Sequence, residues 1–169
     1  MNPWAKTKRN HGLEHATIAL LLLPSVSGRP VAGYSIPTGF LVLGDIPTQQ
    51  VEESAKEALR RMQAGEANLA VSPFCGTNIV VGAALATMAS LGGYRMAGGG
   101  SRGLSRAFSN TMFAIVASRP LGRLVQERCT TSADVGSMSI RSVTRHRLGP
   151  VTMHWIATRF GAAEAASVL

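Results

Sequence analysis

The chain has 169 residues, of which 46% are hydrophobic and only 15% charged, with 17 Lys plus Arg against 9 Asp plus Glu. That length suits one domain with a modest core. The scarcity of charge excludes a disordered chain, and it falls below the ~25% of an ordinary soluble domain, so a surface lying partly in lipid is expected.

The formal net charge of +8 is spread from Lys6 to Arg159 rather than gathered on one element. Nucleic-acid binding favours clustered basic residues with aromatic platforms, and aromatics here are 5%. Anionic lipid headgroups suit the pattern better, so the bilayer is the expected partner, a membrane protein complex a further one, and no nucleic acid is expected. Two cysteines, Cys75 and Cys129, are too few for a disulfide scaffold and are expected as free thiols.

In chain order, Asn10 reads as an N-cap for a helix from His11 to Leu23, stopped by Pro24. The basic residues Lys6, Lys8 and Arg9, the apolar run Ala16 to Leu23 and the small residues Ser25-Val26-Ser27 also outline a cleavable leader, but His11, Glu14 and His15 stand where its apolar stretch should have begun. After a loop from Ser25 to Pro30, Val31 to Ile36 and Gly39 to Leu43 predict two strands around Pro37-Thr38. Pro47 opens an amphipathic helix, with Val51, Ala55, Ala58, Leu59 and Met62 on one face and Gly65 at its end. Asn68 to Val71 predicts a third strand delivering the turn Ser72 to Thr77. No charged residue occurs from Ala67 to Tyr94, and within that stretch Asn78 to Leu91 is helical and rich in small residues. A glycine-rich loop, Met96 to Gly103, leads to a second apolar run, Ala107 to Ser118, expected to stop at Arg119-Pro120 and to resume over Leu121 to Arg128. Ser137 to Arg147 and Val151 to Ala157 flank Leu148-Gly149-Pro150 and predict a last hairpin.

His11-Gly12-Leu13-Glu14-His15 is the sharp motif. Residues four apart share a helix face, so His11 and His15 can present two imidazoles to one ion, with Glu14 in reach of a water on it. This is the His-x-x-Glu-His pattern of inverzincin metallopeptidases, in which histidines hold zinc and glutamate takes a proton from water. Cys75, on a turn beside Gly76, is the candidate third ligand, and a thiolate with two imidazoles leaves a fourth position open. Asp45, Glu66 and His154 are alternative ligands, and His146 and His154 are expected near each other across the last hairpin. The competing reading is a polar first helical turn facing solvent, with Glu14 favoured by the helix dipole. Gly98-Gly99-Gly100 is no phosphate loop, because no Gly-Lys-Ser/Thr follows it.

Asn10 to Ile18, Gly33-Tyr34-Ser35, Gly44 to Thr48, Cys75-Gly76-Thr77-Asn78 and Thr131 to Gly136 together resemble an uncharacterised bacterial membrane-protein family. The paired His-x-x-Glu-His and Cys-Gly-Thr motifs are more distantly similar to a family labelled a predicted metal-dependent enzyme. The resemblance implies a retained first helix and a transmembrane hairpin over Asn78 to Ser118. It also implies a histidine three residues before the cysteine, where this chain has Ser72.

The expected fold is α+β, a small mixed domain of short strands and two helices interrupted by an apolar helical hairpin. Residues 1–76 form the amino-terminal part with the metal motif, 77–128 the hairpin, and 129–169 a β-hairpin completing the α+β part. The expected function is a zinc-dependent, peptidase-like hydrolase at the cytoplasmic face of the inner membrane, with metal ligands His11, His15 and Cys75 and general base Glu14. The alternative is a non-catalytic membrane accessory subunit with a structural metal site or none. No residue pattern names a substrate.

Overall fold

The computed structural model describes residues 1–22 and 30–161. The predicted helix stop at Pro24, the loop from Ser25 and the small residues Ser25-Val26-Ser27 lie outside the described residues. The chain divides into two units, one made of Met1–Ser72 with Cys129–Leu169 and the other of Pro73–Arg128.

The first unit opens with α1, Pro3–Leu22. It starts earlier than Asn10 because Asn2 is the cap: its Oδ1 accepts from Ala5 N–H at 2.7 Å, with Pro3 at the first helical position. Asn10 instead sits mid-helix and fully buried. It donates to Ile36 O at 2.7 Å and accepts from Thr158 Oγ1 at 2.8 Å, tying α1 to two strands.

β1, Ala32–Ile36, and β2, Gly39–Leu43, pair antiparallel around the expected two-residue turn Pro37-Thr38. α2, Thr48–Gln63, follows, and Val51, Ala55, Ala58, Leu59 and Met62 are its buried face. Its other face carries Lys56–Glu52 and Arg60–Glu57 ion pairs. The two arginines Arg60 and Arg61 hold the Glu57 carboxyl down at about 2.

The third strand expected at Asn68 to Val71 does not form. Ala67–Ala70 is a 3-10 turn instead, because Leu69 N donates to Glu66 O and Val71 N to Asn68 O, so the backbone groups are satisfied locally. The sheet is completed by β3, Ser139–Leu148, and β4, Val151–Arg159, joined at a turn where Gly149 has φ +58°. The antiparallel order is β1-β2-β4-β3. Leu13, Ala16 and Leu21 from α1, the buried face of α2, Phe40 and Val42 from β2 and Ile156 from β4 form one core. The result is α+β, with helices packed on a four-stranded antiparallel sheet.

In the second unit, α3 spans Gly76–Met96 and α4 spans Gly100–Val125. The glycine-rich loop expected over Met96 to Gly103 shrinks to three residues, and α4 passes through Pro120 rather than stopping there. Pro120 removes the bond to the carbonyl one turn back and crowds that turn, yet the helix continues to Val125. A π-helical turn, Gln126–Thr130, closes the segment.

The two helices run antiparallel. A Cβ on Gly93 would lie 3.1 Å from Arg106 O, and one on Gly82 3.4 Å from Ser118 Oγ. Gly103, Ala107, Ser118 and Gly122 are the buried residues of α4. Large apolar residues point the other way: Ile79, Val80, Met88, Phe108, Phe113 and Val116 are exposed. Among the described residues, α3 is the one helix long and apolar enough to cross a membrane, by length and composition.

Candidate metal centre

From Gly12 to Thr17, α1 is buried around its whole circumference. Glu14 and His15, each 5% exposed, are therefore taken out of water, which is costly unless each finds a partner. The solvent-facing first turn that would make the motif incidental is not what the fold builds. The His11 and His15 ring centroids lie 4.4 Å apart, with the ring planes at 60°.

Each ring is held from behind by a backbone carbonyl. His15 Nδ1 lies 2.8 Å from Ala70 O, and His11 Nδ1 lies 2.9 Å from Thr130 O. A carbonyl oxygen can only accept, so each Nδ1 carries the proton and each Nε2 carries the ring's lone pair. Histidines that ligate metals are commonly oriented and held in one tautomer this way.

The approach that brings Thr130 to His11 depends on Gly12. Ser132 N donates to Lys8 O at 2.9 Å, laying the chain along α1, and a Cβ at Gly12 would collide with Ser132 O. Glu14 faces β1, where Ser35 Oγ donates to its Oε2 at 2.6 Å. A Cβ at Gly33 would collide with the same carboxylate. Residue chemistry alone does not single out Ser35, Gly33, Gly12 or the Ala70 and Thr130 carbonyls. The only sequence signal for Gly12, Gly33 and Ser35 is their place within the motifs that carry the family resemblance.

Cys75 belongs to the second unit, where it is the buried N-cap of α3 and its Sγ accepts from Thr77 N at 3.4 Å. A helix N-terminus favours negative charge on a capping group, which suits a thiolate. Ser72, where the resemblance implies a histidine, is the last residue before the junction.

The alternative ligands are dispersed. Asp45 and Glu66 are not drawn into the core. His146 pairs with Met153 and His154 with Arg145, so the two histidines project from opposite faces of the sheet and are not neighbours. His154 is fully buried, with Nε2 3.3 Å from Thr48 Oγ1. Burial, reinforced by the Arg145 guanidinium, pushes its pKa below the ordinary imidazole value.

An α+β unit with two oriented imidazoles and a fixed carboxylate on one buried helix, joined to a separate apolar helix pair, is the class of protein that fold and site define. The chain belongs to the family described as a domain of unknown function, DUF6391, which matches residues 6–143. No curated protein and no solved structure matches it significantly.

Proposed function

We propose that this protein is a zinc-dependent hydrolase of peptidase-like chemistry, anchored in a bilayer with its α+β unit on the cytoplasmic side. His11, His15 and Cys75 are the proposed ligands and Glu14 the proposed general base. The observation that carries this reading is the pair of Nδ1–H to carbonyl bonds, which orient both rings and make Nε2 the ligating nitrogen of each neutral imidazole.

Chain connectivity supports Cys75 as the third ligand. The chain passes between the units at Ser72/Pro73 and at Arg128/Cys129. Ala70 and Thr130, whose carbonyls hold the two rings, lie within two residues of those junctions. Cys75 follows Ala70 by five residues, a reach of at most about 18 Å.

Imidazole, imidazole and thiolate fit zinc and leave a fourth position for water. Zinc held there would supply Lewis acidity and bring the acidity of a bound water near neutrality. Glu14 would take the proton on a carboxylate oxygen while Ser35 holds Oε2. The same Ser35 bond also favours a second reading, a structural site in which Glu14 only braces α1 against β1.

For the membrane part, the support is the inverted packing of α3 and α4, with small residues between them and large apolar ones outward. That suits lipid, where close backbone approach rather than side-chain burial holds helices together. Twenty-one residues of α3 rise about 32 Å, enough for a hydrocarbon core of about 30 Å.

The test is zinc content of purified full-length protein against His15→Ala and Cys75→Ala. A stoichiometric zinc in the wild type, lost in both variants, is expected; equal content in all three refutes the site. Glu14→Gln should keep its zinc and lose turnover of peptide or N-acyl amide substrates. Retained turnover would move Glu14 to the structural reading.

A further inference from the structure

The sheet has two faces, and only one faces the core. Phe40, Val42, His154 and Ile156 point inward, and the register places Gly33 and Ser35 on the same side, against Glu14. The alternate positions form the outer face, with Tyr34 on β1, Leu41 and Leu43 on β2, Val151, Met153, Trp155 and Arg159 on β4, and the polar Ser142, Thr144 and His146 on the edge strand β3. An antiparallel sheet with one solvated face normally alternates apolar and polar residues. On the central strand β2 the alternation fails: it reads Gly-Phe-Leu-Val-Leu, apolar on both sides, as a strand covered on both faces does. Yet Tyr34 is 65% exposed and Val151 43% exposed.

The charges of the sheet indicate what covers this face. Its four strands carry Arg141, Arg145, Arg147 and Arg159 and no Asp or Glu. Arg159 stands in the outer register, and Arg141 falls at the bulge between Ile140 and Ser142 close to it. Arg145 and Arg147 alternate to the other side of β3. A second copy of the same sheet would set arginine against arginine. An anionic surface would complement them, and Trp and Tyr among aliphatic residues are the side chains that settle at a bilayer interface. We propose that the outer face of the four-stranded sheet is a docking face for an anionic lipid surface, with Trp155 and Tyr34 seated at headgroup level and Arg159 and Arg141 reaching phosphate.

This goes beyond the zinc reading and does not depend on it. The chain has two tryptophans, Trp4 and Trp155, so Trp4→Phe leaves Trp155 as the sole reporter. Full-length Trp4→Phe protein would be reconstituted into brominated phosphatidylcholine vesicles with or without brominated phosphatidylglycerol, and bound protein recovered by flotation. Several-fold quenching of Trp155 in the anionic vesicles is expected, with weak quenching in the zwitterionic ones. Arg141→Gln with Arg159→Gln should abolish the difference while the thermal unfolding curve persists. Vesicle-bound protein whose Trp155 is quenched by aqueous acrylamide and not by brominated lipid would overturn the docking face alone. So would equal quenching in both vesicles, or a Trp155 shielded without lipid in a detergent-solubilised dimer. Protein that floats with neither vesicle would overturn the docking face together with the lipid reading of α3 and α4.

Discussion

Gly33→Ala is the sharpest perturbation the fold offers, because its effect passes through one partner. An added Cβ would collide with the Glu14 carboxylate and lie 2.7 Å from its Cγ, where ordinary contact begins at 3.4 Å, so the side chain must retreat by more than about 0.7 Å or the strand must shift. Either movement pulls Glu14 from Ser35 Oγ, a bond of 2.6 Å to a buried carboxylate. Hydrogen bonds to charged groups contribute about 1.5–3 kcal/mol, so a loss of about 2 kcal/mol is expected, or about 4–8 °C in Tm. The assay is a double-mutant cycle by thermal unfolding: wild type, Gly33→Ala, Glu14→Ala and the double variant. Glu14→Ala removes the obstructed carboxylate, so the double variant should recover much of the cost of Gly33→Ala, with a coupling of about 1–2 kcal/mol. Strictly additive costs would refute the claim that Gly33 exists to admit Glu14.

Three further outcomes follow from the same geometry. Gly12→Ala presses on a backbone carbonyl that cannot rotate away, which displaces Thr130 from His11; zinc affinity should fall about 10- to 100-fold by competition titration, and unchanged affinity would count against carbonyl orientation of the ring. His154 has a depressed pKa in the folded state, so the unfolded chain binds the proton first as pH falls; its contribution to stability should be intact above about pH 6.5 and decline below it. Denaturation at a series of pH values should show that slope, reduced in His154→Gln; an identical slope in both would assign the acid sensitivity elsewhere. Gly93→Leu drives a side chain into Arg106 O and Asn110 between α3 and α4 and should cost about 1–3 kcal/mol, read as a lower Tm in nanodiscs, whereas Gly92→Leu, with open space around it, should cost much less.

Much of the fold is written in local patterns. The spacing of Val51, Ala55, Ala58, Leu59 and Met62 determines α2 and its buried face, and Pro37-Thr38 and Leu148-Gly149-Pro150 determine two hairpins. The helical pairing of His11 with His15 likewise follows from spacing alone. Where the local reading fails, a distant partner or a short-range competitor prevails. Asn10 reads as a cap because Asn favours caps, but Ile36 and Thr158 claim both ends of its amide inside the core. Asn68 to Val71 reads as a strand, yet its backbone closes on itself in a 3-10 turn.

The site shows the same division. Residue identity and spacing determined which nitrogens could meet on one helix face, because a helix turn is a property of adjacent residues. Which nitrogen of each ring holds the proton was decided only in three dimensions, by carbonyls 55 and 119 residues away in the chain. The same holds for Ser35 on Glu14 and for the second apolar face of the sheet. Helix-on-sheet packing and chain crossings bring those groups together, and no local pattern encodes a contact between elements distant in the chain.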